Sequence, residues 1–263
     1  LIPLSFPSVG ATENILMAAV LAKGTTVIEN AAREPEVVDL ANLLNKMGAK
    51  IFGIGTTTIE IEGVSELKGT DYSVIPDRIE AGTFIMAGIL TGGNVTIENA
   101  LPEHMGIVLE KLKETSAWIK EFPSKICASS SKGFKAINIA TLPYPGFPTD
   151  LQAPMAVLLS LAQGTSIITE NVFESRFMMV DELNRMGANL SVHGHHLVIK
   201  GVEKLSGATV CAPDLRGGAA LALAGLVAEG ETEVLDIFHI DRGYENFDEK
   251  LRLLRADIER VKV

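Results

Sequence analysis

Four arginines stand where helices are expected to begin. Arg78 follows Pro76-Asp77, and Arg216 follows Pro213-Asp214-Leu215. Arg176 opens a further helical stretch, and Arg242 precedes another in His239-Ile240-Asp241-Arg242-Gly243-Tyr244. A helix N-terminus carries unpaired N–H groups and a partial positive charge, so a cation there costs about 0.3–1 kcal/mol unless an anion offsets it. Two accounts fit. Each arginine pairs with the carboxylate beside it (Asp77, Asp214 or Asp241), or the set clamps a phosphate or carboxylate ligand. Recurrence at equivalent helix ends favours the clamp.

Asp150 is the single carboxylate of Phe147-Pro148-Thr149-Asp150-Leu151-Gln152. It fits a helix cap, and among arginines it also fits a base that takes a proton from a substrate hydroxyl. Ser8-Val9-Gly10 offers a hydroxyl and backbone N–H groups at another helix start, suited to capping or to holding a diphosphate. His193-Gly194-His195-His196 has the composition of a metal tract, but it falls in an expected hairpin turn with no acidic partner in sequence, so no metal is expected. Gly53-Ile54-Gly55 lacks the strand-to-helix setting of a dinucleotide fingerprint, and no cofactor is expected.

The elements that must position these residues recur. Pro7-Ser8, Pro76-Asp77, Pro148-Thr149-Asp150 and Pro213-Asp214 each open a copy of one pattern, about 70 residues apart, longer than the familiar solenoid periods. Small and apolar residues follow, then Gly24, Gly92, Gly164 or Gly230, then a β-rich run such as Thr26-Val27-Ile28-Glu29-Asn30. A second amphipathic stretch closes each copy. The periodicity predicts helix, strand, helix and two closing strands. In the first copy these are 11–23 as a buried helix, 25–29, a helix from Pro35 to the stop at Gly48, and a hairpin of 50–52 with 58–62. The second gives 81–90, 95–98 and 105–113, with last strands at 116–120 and 135–139. The third gives 151–162, 166–169, 177–186 and a hairpin over 189–200; the fourth gives 215–228, 232–235, 247–254 and 257–261. Right-handed crossovers would run the helices parallel and gather their N-termini at one end, a natural anion site.

The whole-chain figures narrow the class. A chain of 263 residues, 47% hydrophobic and 21% charged, can bury a sizeable core. A net charge of −10 argues against a nucleic-acid partner, so any anionic substrate must meet locally concentrated arginines. Cys127 and Cys211 lack ligand spacing and suit a reducing compartment. No apolar run reaches the ~20 residues of a membrane span and no signal peptide is visible, so a cytoplasmic location is expected.

Taken together, several stretches resemble the enolpyruvyl transferases, and among them the UDP-N-acetylglucosamine 1-carboxyvinyltransferases of peptidoglycan synthesis. They are Ser8-Val9-Gly10-Ala11-Thr12-Glu13-Asn14, Glu29-Asn30-Ala31-Ala32-Arg33-Glu34-Pro35-Glu36, Pro76-Asp77-Arg78-Ile79-Glu80, Phe147-Pro148-Thr149-Asp150, Val172-Phe173-Glu174 with Arg176-Phe177, Asp214-Leu215-Arg216 and His239-Ile240-Asp241-Arg242-Gly243-Tyr244-Glu245. The resemblance implies two domains, each an inside-out α/β barrel of three repeats with helices directed into an interdomain cleft. It makes residues 1–74 the last repeat of one domain and 75–263 the second domain, with four of six repeats present.

The resemblance further implies transfer of an enolpyruvyl group from phosphoenolpyruvate to the 3-hydroxyl of UDP-N-acetylglucosamine, with release of phosphate. Matched position by position, Asp150 is the base and a sugar-nucleotide contact, and Arg216 and catalytic Arg242 hold phosphoenolpyruvate. Ser8, Val9, Gly10, Thr149 and Val172 bind substrate, while Arg78 and Arg176 line the cleft. The family's Lys-Asn pair and its mobile loop bearing a catalytic Cys have no counterpart here, and neither Cys127 nor Cys211 takes that place. The chain then reads as truncated and inactive alone unless a second chain or the N-terminal repeats complete it. A shikimate-pathway enolpyruvyl transferase and a non-catalytic fragment retaining part of the ligand site are the alternatives.

Overall fold

Four glycines at equivalent places lie between the first helix of a copy and the strand that follows it. Gly24, Gly92, Gly164 and Gly230 all have positive φ, from 67° to 117°, a backbone region in which a Cβ is costly. Asn30, Asn99 and Asp236, which follow the next strand in three of the copies, are left-handed as well, a conformation that short polar side chains tolerate. The repeated pattern is therefore one of backbone geometry as well as of hydrophobicity.

A computed structural model describes residues 1–130 and 133–261. They form two compact units: Leu1–Pro76 with Pro143–Pro145, and Asp77–Leu142 with Gly146–Val263. The second excursion into the first unit had no sequence signal. It is tied there by Arg33 Nη2 donating to the Tyr144 carbonyl at 3.0 Å and by Tyr144 N–H donating to Glu34 at 3.2 Å.

The first unit runs β1 (Ile2–Pro3), α1 (Val9–Ala19), β2 (Thr25–Glu29), α2 (Pro35–Lys46), β3 (Lys50–Phe52) and β4 (Thr58–Glu62). Its sheet has the order β1-β2-β4-β3, with β1 parallel to β2 and the other pairs antiparallel. Leu16, Ile28, Ala32, Ala41, Ile59 and Ile61 lie at its centre, each fully buried. The expectation of a buried first helix is corrected: α1 buries only Thr12, Leu16 and Ala19, while Met17 within it and Leu21 just beyond its end are exposed.

The second unit continues with α3 (Arg78–Leu90), β5 (Asn94–Glu98), α4 (Gly106–Glu114), β6 (Trp118–Phe122), β7 (Lys125–Ser129), β8 (Phe134–Lys135) and β9 (Ile139–Ala140). After these come α5 (Gln152–Ser160), β10 (Ala162–Gln163), β11 (Thr165–Thr169), α6 (Val180–Arg185), β12 (Asn189–His193) and β13 (His196–Lys200). It ends with β14 (Thr209–Cys211), α7 (Leu215–Gly225), β15 (Glu233–Leu235), α8 (Phe238–Asp241) and α9 (Phe247–Leu253). Its sheets have the orders β5-β7-β6, β12-β13-β11-β9, β10-β8 and β14-β15. The first strand of a copy pairs with the last strand of its hairpin in β2-β4-β3, β5-β7-β6 and β11-β13-β12 alike.

Helices α3, α5 and α7 are buried on nearly every face, and they pack on one another. They are apolar all round because they are the inside of this unit, with sheets outside them. Small residues permit the close approach. A Cβ on Gly82 would lie 2.6 Å from Leu151 Cδ1, and one on Gly218 would lie 2.8 Å from Ala212 Cβ. No helix among the described residues is long and apolar enough to cross a membrane.

Three expectations are corrected. The partner of β6 is β7, joined through Pro123-Ser124, not the stretch 135–139. Ile126 and Ala128 alternate into the core on β7, whereas Phe134 and Ile139 face it from β8 and β9, which pair with β10 and β11. The helix expected over 177–186 begins only at Val180, so Arg176 lies in the loop before it. Residues 257–261 form no strand; they are held through side chains, and α8 had not been expected.

Gly88 in α3 tests the packing. Alanine would gain about 1 kcal/mol of helix propensity, yet its Cβ would fall 2.5 Å from Val95 Cγ1 and 2.8 Å from Val95 Cβ. A β-branched strand residue cannot swing aside, and overpacking costs roughly 1–3 kcal/mol. Gly88→Ala is expected to lower the denaturant midpoint; a higher midpoint would refute the close helix–strand contact.

Candidate active site

Three of the chemistry-bearing residues of the second unit, Asp150, Arg176 and Arg216, meet beside the starts of α5 and α7. Thr149–Leu151 is a single 3-10 turn that leads into α5 and carries Asp150. Arg216 lies in the first turn of α7, whose cap is Asp214, accepting from the Arg216 and Gly217 N–H groups at 2.8 Å each. Arg176 reaches in from the loop after β11. Asp150 Oδ1 accepts from Arg176 Nη2 at 2.6 Å, while Oδ2 accepts from Arg216 Nη2 at 2.9 Å and Nε at 3.2 Å.

Two expectations are revised by this geometry. Asp150 is not a helix cap: its side chain accepts from guanidinium groups and makes no capping bond. Arg216 pairs with Asp150 rather than with neighbouring Asp214, which is occupied as a cap. Burial pushes the Asp150 carboxyl upward, but the Arg216 and Arg176 charges and their hydrogen bonds outweigh it and hold the group below its usual range. The site therefore holds an anion flanked by two cations at neutral pH.

Each guanidinium also stacks on an aromatic ring. Arg176 lies 4.6 Å from the centre of Phe173, and Arg216 lies 5.2 Å from that of Tyr244. Tyr244 is buried, and its hydroxyl is 2.9 Å from Thr83 Oγ1 on α3. Arg216 Nη1 is enclosed and has no hydrogen-bond partner among the described residues, so one edge of this cation is unmatched.

A second carboxylate organises the first. Glu170, 1% exposed, follows β11 and accepts from four groups. Thr141 Oγ1 donates at 2.8 Å, Val172 N–H at 2.9 Å, Phe173 N–H at 3.1 Å and Thr149 Oγ1 at 2.9 Å. Thr149 in turn accepts from Arg176 Nη1 at 3.0 Å. Gln152 adds a bond from its Nε2 to the Arg176 carbonyl at 2.9 Å. Sequence reasoning missed Glu170, Thr141 and Thr83. The matching Glu29 and Glu98 of other copies are exposed, so the repeat gave no sign that Glu170 is different.

The remaining sequence candidates are placed as follows. Thr149 and Val172 belong to the network above. Arg78 is the first residue of α3, half-buried, beyond the cap Asp77, which accepts from the Ile79 and Glu80 N–H groups. Arg242 follows α8, is exposed, and makes no side-chain hydrogen bond or ion pair among the described residues; neighbouring Asp241 pairs with Arg260 instead. Ser8, Val9 and Gly10 lie in the first unit, where Ser8 caps α1 by accepting from Ala11 N–H at 3.3 Å. His193 and His196 face each other across the β12–β13 hairpin, and no cluster of three or more metal-type ligands occurs among the described residues.

The profile of the EPSP synthase (3-phosphoshikimate 1-carboxyvinyltransferase) family matches residues 2–251. The chain belongs to this family. It is 61% identical over 98% of its length to UDP-N-acetylglucosamine 1-carboxyvinyltransferase 1 of Caldanaerobacter subterraneus subsp. tengcongensis, and spans 62% of that protein. It is 59% identical over 98% of its length to UDP-N-acetylglucosamine 1-carboxyvinyltransferase 2 of Carboxydothermus hydrogenoformans, again spanning 62% of it. The crystal structure of the enolpyruvyl transferase NikO from Streptomyces tendae superposes with a TM-score of 0.86 at 28% identity, covering 95% of this chain and 60% of that one. The α/β fold is thus the enolpyruvyl transferase fold, and the chain spans about three-fifths of the length of these relatives.

The low Asp150 pKa has a direction in pH. A carboxyl depressed on folding adds stability above its unfolded value, near the reference 3.8, and loses it as pH falls through the lower folded value. Asp150→Asn should therefore lower thermal stability most at neutral pH, and the gap to wild type should close under acid below pH ~3.8. A gap independent of pH would show that charge pairing is not what Asp150 contributes.

Proposed function

We propose that these residues form part of an enzyme that moves the enolpyruvyl group of phosphoenolpyruvate to the 3-hydroxyl of UDP-N-acetylglucosamine, a cytoplasmic step of peptidoglycan synthesis. The observation that carries this reading is the Asp150 carboxylate gripped by Arg176 and Arg216, with an Arg216 donor left unmatched. The names of the relatives supply the acceptor. Residues 1–74 then correspond to the last repeat of one domain and residues 75–263 to the second, the whole enzyme being longer.

In the addition step the hydroxyl oxygen bonds to C2 of phosphoenolpyruvate while C3 gains a proton, giving a tetrahedral ketal. In the elimination step the C2–O bond to phosphate breaks, a C3 proton leaves, the double bond reforms and phosphate departs. Asp150 takes the hydroxyl proton. A carboxylate tied by two guanidiniums is a weak base, and a negatively charged donor that draws Arg216 away makes it stronger. Arg216 and Arg242 bind the donor, Arg78 and Arg176 add positive potential, and Ser8, Val9, Gly10, Thr149 and Val172 contact the sugar nucleotide. Since the Val172 N–H is spent on Glu170, its carbonyl and side chain remain for that contact.

The test uses a polypeptide of the relatives' full length carrying these residues. Asp150→Asn should slow turnover by roughly 10²–10⁴-fold without unfolding. Arg216→Ala should weaken phosphoenolpyruvate binding by ~1.5–3 kcal/mol for each charged hydrogen bond lost. Phosphate release that depends on UDP-N-acetylglucosamine supports the assignment, whereas release that depends on 3-phosphoshikimate instead would overturn the acceptor. Unchanged turnover in Asp150→Asn would remove the base from Asp150.

A further inference from the structure

The stretch 257–261, expected as a strand, carries Arg260, and this side chain spans two helices. Its Nη1 and Nη2 donate to the two carboxylate oxygens of Asp241 at 2.8 and 2.7 Å. Its Nε and Nη2 donate to Asp248 Oδ1 at 3.2 and 2.9 Å. Asp241 ends α8, and Asp248 lies in the first turn of α9. Between them runs the turn 242–246, which bears Arg242 and Tyr244. One planar guanidinium thus closes the mouth of that turn from both sides, a geometry that a point-charge ammonium cannot reproduce.

The turn is left-handed at one end and tightly packed in the middle. Asn246 is left-handed, with φ of 50°. Gly243 sits against α7 so closely that a Cβ would lie 2.6 Å from Leu215 Cδ2. Tyr244, the platform under Arg216, is buried, but Arg242 has no side-chain partner among the described residues to fix it. Its position is set by the backbone of the turn alone.

We propose that Arg260 is a positioning residue for Arg242: by joining Asp241 to Asp248 it holds the α8–α9 turn so that Arg242 meets the anionic donor. This rests on the reading of Arg242 as a phosphoenolpyruvate contact. Two consequences separate it from a plain stabilising ion pair. Loss of the brace affects the donor and not the sugar nucleotide, and the three charged groups act as one unit.

The experiment measures calorimetric Kd values for phosphoenolpyruvate and for UDP-N-acetylglucosamine, with Tm alongside, in the full-length protein. Arg260→Gln should weaken phosphoenolpyruvate binding roughly tenfold, in the range expected for a misplaced contact, and leave UDP-N-acetylglucosamine binding unchanged. Asp241→Asn with Asp248→Asn should do the same, and the triple variant should be no worse than Arg260→Gln alone. Unchanged donor affinity in Arg260→Gln, additive losses, or equal weakening of both ligands that tracks Tm would each overturn the proposal. Arg242→Ala is the control for the underlying reading: if it leaves donor affinity intact, the role of Arg242 itself fails, and the brace has nothing to position. If Arg260→Gln does not fold, Asp241→Asn, which keeps the Asp248 bonds, carries the same test at smaller amplitude.

Discussion

A carboxylate drawn partly out of water is stabilised by matching charge, and half-buried Asp150 is matched from two directions. Leaving a half-buried ion without its partners is unfavourable, so both arginines add to the stability of the folded state. The pairing joins three places in the chain: the 3-10 turn before α5, the first turn of α7 and the loop after β11. Local order around the site follows from that constraint. Tyr244 and Phe173 lie beneath the two cations, and Thr149, held by Glu170, orients one of them.

The inside-out arrangement makes this concentration of charge possible. With α3, α5 and α7 at the centre of the second unit, their flanks must be small and apolar, and Ala219, Ala220, Ala222 and Ala224 of α7 are all buried. Polar chemistry is then confined to helix ends. There Asp77 and Asp214 satisfy backbone N–H groups, and the Arg216 side chain turns instead to Asp150. Arg216 is tolerated at an unfavourable end of the dipole because a carboxylate from another element is brought to it.

Much of this was legible in the sequence. The turning glycines, the β-rich runs after them and the helix-opening Pro-Asp pairs have local causes, so they predicted elements that the structure contains. The failures are of a different kind. The pairing of β6 with β7 depends on which of two apolar alternations faces the core, and periodicity alone does not choose between Ile126-Ala128 and the later Phe134 and Ile139. The stretch 257–261 alternates well enough for a strand, but β14-β15 takes no third strand among the described residues. Arg176, Arg216 and Asp150 were each found by type and position, but their pairing joins residues distant in sequence and follows no local rule.

Glu170 shows most directly why a repeat does not fix a role. Glu29, Glu98 and Glu170 all close a strand that follows a left-handed glycine, and the first two are exposed. In the third copy the chain after the glutamate folds back on it, with the Val172 and Phe173 N–H groups and two threonine hydroxyls all donating to one carboxylate. A carboxylate with that many donors is satisfied without a cation, so Arg176 is not drawn to Glu170 and is left to Asp150. The same place in the pattern thus holds two solvated glutamates and one buried organiser, and Asn171 after Glu170 lacks the left-handed turn of Asn30 and Asn99. The difference lies in the Thr141 and Thr149 hydroxyls and the loop, not in the glutamate.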